Sequence, residues 1–257
     1  MTVSDLHLHP GLYHQLESAV AEHEPDVLAL VGDFLDARFP PHPGLLSPST
    51  AGWMLSNLPC QVVCVRGNHD DWQMEDFVTG WNPDRLPLIA LHAEAAVVSG
   101  IPITGFPCWL GDESFYLETA LQRPSRKRAG RDGDIFARLA SLINREHPAL
   151  TRSLWLMHEP PVRGVASTIA VCDDWRLLVE SRQPDVVICG HDHSTPIKTG
   201  MWNVRHGRTR IINTGQAHFT QSALRYCLLE FYTNGGFQAA TLYDGTRNIE
   251  TITAERP

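Results

Sequence analysis

Five short blocks of the sequence carry side chains that bind metal ions or move protons: Asp5-Leu6-His7, Gly32-Asp33, Gly67-Asn68-His69-Asp70, His158, and Gly190-His191-Asp192-His193. Asp5 and His7 are two apart, as are His191 and His193. In extended backbone, residues i and i+2 point to the same side, so each pair can face one cation just beyond a strand. Asp33 and Asn68 each follow a glycine, which lets the chain turn sharply and bring the side chain to a sheet edge. Together the blocks supply seven oxygen and nitrogen donors (Asp5, His7, Asp33, Asn68, His158, His191 and His193) and no thiolate. Such donors suit Mn2+, Fe2+/Fe3+ or Zn2+ more than a cysteine-rich zinc site would. A carboxylate has two oxygens and can bridge two ions.

Two divalent cations about 3.5–4 Å apart can hold a bridging hydroxide and polarise a phosphoryl oxygen. That hydroxide attacks phosphorus in line, so no serine or cysteine nucleophile is required. The departing oxygen then needs a proton. His69, beside Asn68, is the candidate acid, and Asp70 is expected to accept from its ring and keep it charged and oriented.

Such a site requires several strand ends at one place. Each block lies at or just past a strand-like run: the stub at residues 1–4 and the apolar runs 27–31, 62–65, 154–157 and 186–189. Continuous apolar runs of this length read as strands buried on both faces. Residues 12–22 place Leu12, Leu16, Ala19 and Val20 at helical spacing, and residues 134–146 do the same with Ile135, Leu139, Leu142 and Ile143. Alternation of such elements is the α/β signature. Pro40, Pro41, Pro43 and Pro48 make residues 38–48 a surface excursion. Strands are expected at 210–213, 226–232 and 237–243, with Asn234-Gly235-Gly236 as a hairpin turn.

The chain has 257 residues, is 43% hydrophobic and 19% charged, and carries a formal charge of −8. That length buries a large core without staples. No apolar run approaches the roughly 18 residues of a membrane span, and no basic stretch precedes an apolar run at the start, so a cytoplasmic protein without membrane contact is expected. The net charge opposes general nucleic-acid affinity. Cys60, Cys64, Cys108, Cys172, Cys189 and Cys227 show no repeated C-x-x-C spacing and read as reduced thiols.

The order D-x-H, G-D, G-N-H-[DE], H and G-H-x-H resembles the calcineurin-like metallophosphoesterase superfamily over residues 5–193. The resemblance implies an α/β fold of two packed mixed β-sheets flanked by helices, a four-layer αββα sandwich. It implies a single domain over 1–257, with substrate-covering insertions at 36–59 and 106–133. One metal would be held by Asp5, His7, Asp33 and His193, the second by Asp33, Asn68, His158 and His191. Asn213-Thr214-Gly215 resembles the family's strand-terminal Asn-x-Gly. The chain departs in two places: only four residues precede Asp5, and Asp192 replaces a small or β-branched residue. Alternation points Asp192 away from the metals.

The function implied is a two-metal phosphoric ester hydrolase. Gly-Asn-His-Asp, rather than Gly-Asn-His-Glu, resembles the phosphodiesterase and nuclease branches, and a small-molecule or nucleotide phosphate ester is the expected substrate. A DNA or RNA nuclease using the basic loop Arg123, Arg126, Lys127, Arg128 and Arg131 is the alternative, and a non-catalytic metal-binding scaffold a further one. Arg163, His9 and His218 are candidates for substrate contact, each set against a plain surface or loop role. Trp109, Phe115 and Tyr116 form either a substrate wall or core. The sequence does not encode the oligomeric state.

Overall fold

The computed structural model describes residues 1–36, 43–70, 73–106, 108, 153–167, 170–217 and 222–254. The helix expected over 134–146, the basic loop 123–131, the aromatic residues 109, 115 and 116 and nearly all of the insertion at 106–133 lie outside the described residues.

In chain order the strands are β1 (Thr2–Val3), β2 (Val27–Val31), β3 (Gln61–Val65), β4 (Ile89–Ala90), β5 (Glu94–Val98), β6 (Ile101–Phe106) and β7 (Leu154–Met157). They continue as β8 (Val186–Cys189), β9 (Asn203–His206), β10 (Thr209–Asn213), β11 (Arg225–Phe231), β12 (Phe237–Asp244) and β13 (Arg247–Thr253). One sheet has the order β13-β12-β11-β1-β2-β3-β4, the other β5-β6-β7-β8-β10-β9. Both are mixed. β1 to β4 run parallel, with β11 antiparallel beside β1. β6, β7, β8 and β10 run parallel, with antiparallel β5 and β9 at the two edges.

Alternation along β2 shows how the layers arise. Leu28 and Leu30 join one core cluster with Leu12, Leu16, Ala51, Leu55 and Phe77. Val27, Ala29 and Val31 join another with Leu154, Leu156, Val186, Ile188 and Ile212 of the second sheet. A run that is apolar at every position is therefore needed, because both faces are covered. The helices of the first cluster are α1 (Pro10–His23), α2 (Pro48–Ser56) and α3 (Met74–Thr79). On the far side of the second sheet, α4 (Asp173–Arg182) packs Trp175 and Val179 against Trp155, Met157 and Val187. Trp155 and Trp175 are fully buried there, and truncating either costs about 3–5 kcal/mol. A short α5 (Thr195–Thr199) follows the last histidine block. The fold is α/β, two mixed sheets face to face with helices outside each.

Two local expectations change. The first strand is two residues long, yet it is central: Thr2 pairs with Ala29 on one side and Cys227 on the other. Residues 48–56 fall inside the span expected to cover substrate, but they form α2. Ser47 Oγ accepts the Thr50 amide at 3.0 Å, Pro48 sits in the first turn, and Ala51 and Leu55 are buried. That helix belongs to the core. None of the six cysteines forms a disulfide.

Register brings the ligand blocks together. Val3 lies opposite Leu30, Val31 opposite Val65, and Leu156 opposite Ile188. The parallel strands thus end nearly level, and the loops that follow them emerge at one edge of the sandwich. That edge is where open α/β sheets place ligands.

Candidate metal centre

The chain turns abruptly as it leaves β1, β2 and β8. Asp5, His7, Leu8, Asp33 and His191 all have left-handed backbone, with φ of 57°, 47°, 56°, 51° and 64°. For non-glycine residues this conformation costs roughly 1–3 kcal/mol of strain, which concentrates at functional sites. Asp5 and His7 therefore converge through a stitched loop and not, as their spacing suggested, through extended backbone. The stitching runs Asp5 N–H to Gly32 C=O at 3.0 Å, His7 N–H to Asp33 C=O at 2.9 Å and Leu8 N–H to Phe34 C=O at 3.1 Å.

Three groups of donors result among the described residues: the first two meet at Asp33, and the third is His7, Asp36 and His69. Asp5, His7, Asp33 and His193 bring ligand atoms within 4.8 Å of one another, and so do Asp33, His158 and His191. Asp33 belongs to both. Its Oδ2 lies 3.1 Å from His158 Nε2 and 3.9 Å from His7 Nε2, while Oδ1 accepts the His69 amide at 2.8 Å. Asn68 completes the second group, with Oδ1 3.2 Å from His158 Nε2 and 3.1 Å from His191 Nδ1. In the first group His193 Nε2 is 3.2 Å from Asp5 Oδ1 and 3.4 Å from His7 Nε2.

These contacts fit cations better than hydrogen bonds alone. Asp5 Oδ2 is buried with no hydrogen-bond partner. His158 Nδ1 lies 2.9 Å from the Val31 carbonyl, which fixes Nδ1–H as donor and turns Nε2 toward two oxygen acceptors, Asp33 Oδ2 and Asn68 Oδ1. A second ring proton or a metal ion must sit at that nitrogen. Without metal, burial opposes the charge but the Asp33 carboxylate outweighs it, and His158 is pushed up to about 10. The same partnership, working against burial, holds Asp33 far below the usual carboxylate range. Burial lowers His7 to about 3, which leaves the neutral imidazole that a metal needs. Burial, then the His158 charge, lowers His191 as well.

Close approach requires glycine at two points. A Cβ on Gly32, where φ is +77°, would collide with the His158 ring. One on Gly67 would collide with the Asp33 carboxylate and amide. The two glycines let the Asp33 and Asn68 loops touch.

His69 lies beside the first group, its ring centroid 4.9 Å from that of His7, and its side chain is 33% exposed, so it faces the open side of the site. Its carboxylate neighbour is not the one expected. Asp70 is fully buried and accepts the amides of Asp33 at 2.8 Å, Gly67 at 2.6 Å and Leu35 at 2.8 Å. It binds the two ligand loops to each other. Burial and then the Asp33 charge push it up to about 7. The residue near His69 is Asp36, with Oδ1 3.7 Å from Nδ1. Sequence reasoning passed over Asp36, although its place three residues after Asp33, just past that block, was a usable signal. Asp192 points away from the ligand atoms, as alternation implied. Its carboxylate accepts the Ser167, Ser194 and Thr195 amides and the Thr195 hydroxyl, and these donors outweigh burial to hold it well below the usual range.

Among the remaining candidates, Arg163 is exposed on the loop after His158. His9 is half-buried at the start of α1, where its carbonyl accepts the Leu12 and Tyr13 amides. His218 lies outside the described residues. Among the described residues no helix is long and apolar enough to cross a membrane.

The fold and this cluster define a metallophosphoesterase-type site. A family model described as calcineurin-like phosphoesterase matches residues 1–195 of the 257, and the chain belongs to that family. Among solved structures, a dimetal phosphatase from Danio rerio is 12% identical, covering 99% of this chain and 98% of that one, with a TM-score of 0.58. Yfce, a phosphoesterase from E. coli, is 13% identical over 99% and 98%, with a TM-score of 0.50. GAP50, the anchor in the inner membrane complex of Plasmodium, is 11% identical over 98% and 87%, with a TM-score of 0.57. At such identities the likeness is one of fold. No curated protein matches the chain.

Proposed function

We propose that the chain is a two-metal phosphoric ester hydrolase acting on a small-molecule or nucleotide phosphate ester. The observation that carries this reading is the position of Asp33 Oδ2 between His158 Nε2 at 3.1 Å and His7 Nε2 at 3.9 Å, which suits one carboxylate shared by two ions. Asp5, His7, Asp33 and His193 would hold one ion, and Asp33, Asn68, His158 and His191 the other. When bound, such a pair supplies Lewis-acid polarisation of the phosphoryl group and activation of water.

The chain's own residues do the rest. His69 holds a proton for the leaving oxygen on the open side of the site. Asp36 Oδ1, 3.7 Å from His69 Nδ1, is the carboxylate placed beside that ring. Asp70 keeps the Asp33 and Asn68 loops at their spacing and takes no part in proton transfer. Burial of the ligands excludes bulk water, which strengthens each electrostatic contact.

Hydrolysis of bis-p-nitrophenyl phosphate and of p-nitrophenyl phosphate by the Mn2+-loaded protein tests the reading and separates diester from monoester preference. Turnover of neither by metal-replete protein would count against it. The shared fold with an anchor protein makes a scaffold the competing reading. The complete donor set, together with the His69–Asp36 pair, favours catalysis over it.

A further inference from the structure

One buried side chain outside the donor set touches every segment that carries the last three histidines. Asn213 ends β10, paired with Cys189 at the end of β8, and is fully buried. Its Nδ2 lies 3.1 Å from the Val165 carbonyl, 3.2 Å from that of Gly190 and 3.2 Å from that of Asp192. Its Oδ1 accepts the Gly215 amide at 2.9 Å. Gly190 and Asp192 flank His191, and Val165 lies on the loop that follows His158.

The backbone held there is unusual. Asp192 N–H donates to the Gly190 carbonyl at 2.7 Å, closing a three-residue turn centred on His191, whose φ is 64°. A γ-turn with positive central φ is rare and strained. This turn lets the loop serve two ions: His191 faces Asn68 Oδ1 in one donor group, while His193 faces Asp5 Oδ1 in the other. The tight turn brings both of its flanking carbonyls to the Asn213 amide. Two N–H groups are shared among three carbonyls, so the strained turn is fastened directly to the strand end and to the His158 loop.

We propose that Asn213 is a positioning residue: it holds the left-handed turn at His191 and so keeps the second donor group in place beside the first. The inference rests on the two-ion reading of the site, and it adds the element that sets the spacing. A side chain fixed by two or more backbone contacts, and itself uncharged, suits a site already crowded with ionisable groups.

The test compares Mn2+ binding by wild type, Asn213→Ala and Leu178→Ala, the last a core truncation on α4 that touches no donor. Isothermal titration gives stoichiometry, and the exchange-coupled Mn2+ pair is read by electron paramagnetic resonance. Asn213→Ala is expected to weaken the second ion by roughly 10–100-fold and to replace the coupled signal with that of isolated ions, as loss of a partner that orients a ligand does. Leu178→Ala, compared at matched loss of melting temperature, keeps two ions and the coupled signal. Two ions with wild-type coupling in Asn213→Ala would overturn the proposal and leave the two-ion reading standing. Wild type that never binds a second ion would sink both. A measurement on wild type alone guards against a variant that does not fold: the Asp192 amide is expected to be protected from hydrogen exchange in the metal-free protein. Free exchange there would mean that the turn is not preformed, which also overturns the proposal.

Discussion

Replacing Asp33 by Asn probes the shared carboxylate without changing its shape. In metal-free protein, Asp33 Oδ2 lies 3.1 Å from His158 Nε2, both side chains are buried, and His158 is pushed up to about 10. The unfolded value is about 6.5. A histidine raised in the folded state contributes stability that is fully present below about 6.5 and is lost as pH climbs through the folded value. Each tenfold gain in proton affinity on folding is worth about 1.4 kcal/mol, so the window from pH 6.5 to 10 spans a few kcal/mol, on the order of 3–5. Breaking a buried ion pair by removing one partner costs about the same. In Asp33→Asn the imidazolium loses its counter-charge, burial wins, and His158 becomes neutral near pH 7. Urea unfolding in excess chelator, followed by far-UV circular dichroism between pH 6 and 10, gives the two stability curves. Wild type is expected to lose several kcal/mol more than the variant across that window. Parallel curves would refute the pairing of His158 with Asp33 and, with it, the proposal that one carboxylate serves both donor groups.

Three other substitutions follow from the geometry. His69→Ala should retain both ions by metal analysis and lose about 10²–10⁴-fold in turnover of an ester with a poor leaving group, because the general acid is gone. Asp36→Asn should keep metal content and lose turnover more modestly; unchanged turnover would remove Asp36 from the mechanism. Gly67→Ala forces a methyl into the Asp33 carboxylate and should lower ion stoichiometry in equilibrium dialysis, whereas full occupancy would mean that the two loops separate without consequence.

Much of the site was legible because four of its donors follow runs that are apolar throughout, at 27–31, 62–65, 154–157 and 186–189. Parallel strands in register must deliver their next residues to a common edge, so Asp33, Asn68, His158 and His191 could be grouped from the apolar runs alone. What the sequence hid lies in the loops. Asp5 and His7 were grouped on the premise of extended backbone, and both have φ near +50°. Once the backbone turns left-handed, side-chain direction no longer follows a period of two. Adjacency in sequence suggested Asp70 for His69, but its carboxylate is taken by three amides, and Asp36 lies beside the His69 ring instead. Residues 48–56 read as part of the expected insertion at 36–59 because α2 is only nine residues long and starts at a proline. The long edge strand β13 carries Arg247, Glu250 and exposed threonines, and its pairing with β12 depends on a neighbour rather than on an apolar pattern of its own.

Anomalous scattering from a crystal of the Mn2+-loaded protein tests the central claim most directly. Two peaks about 3.5–4 Å apart are expected, with Asp33 Oδ2 between them, His7 and His193 at one peak, and Asn68, His158 and His191 at the other. A single peak, or two peaks with Asp33 bound to only one, would contradict the account.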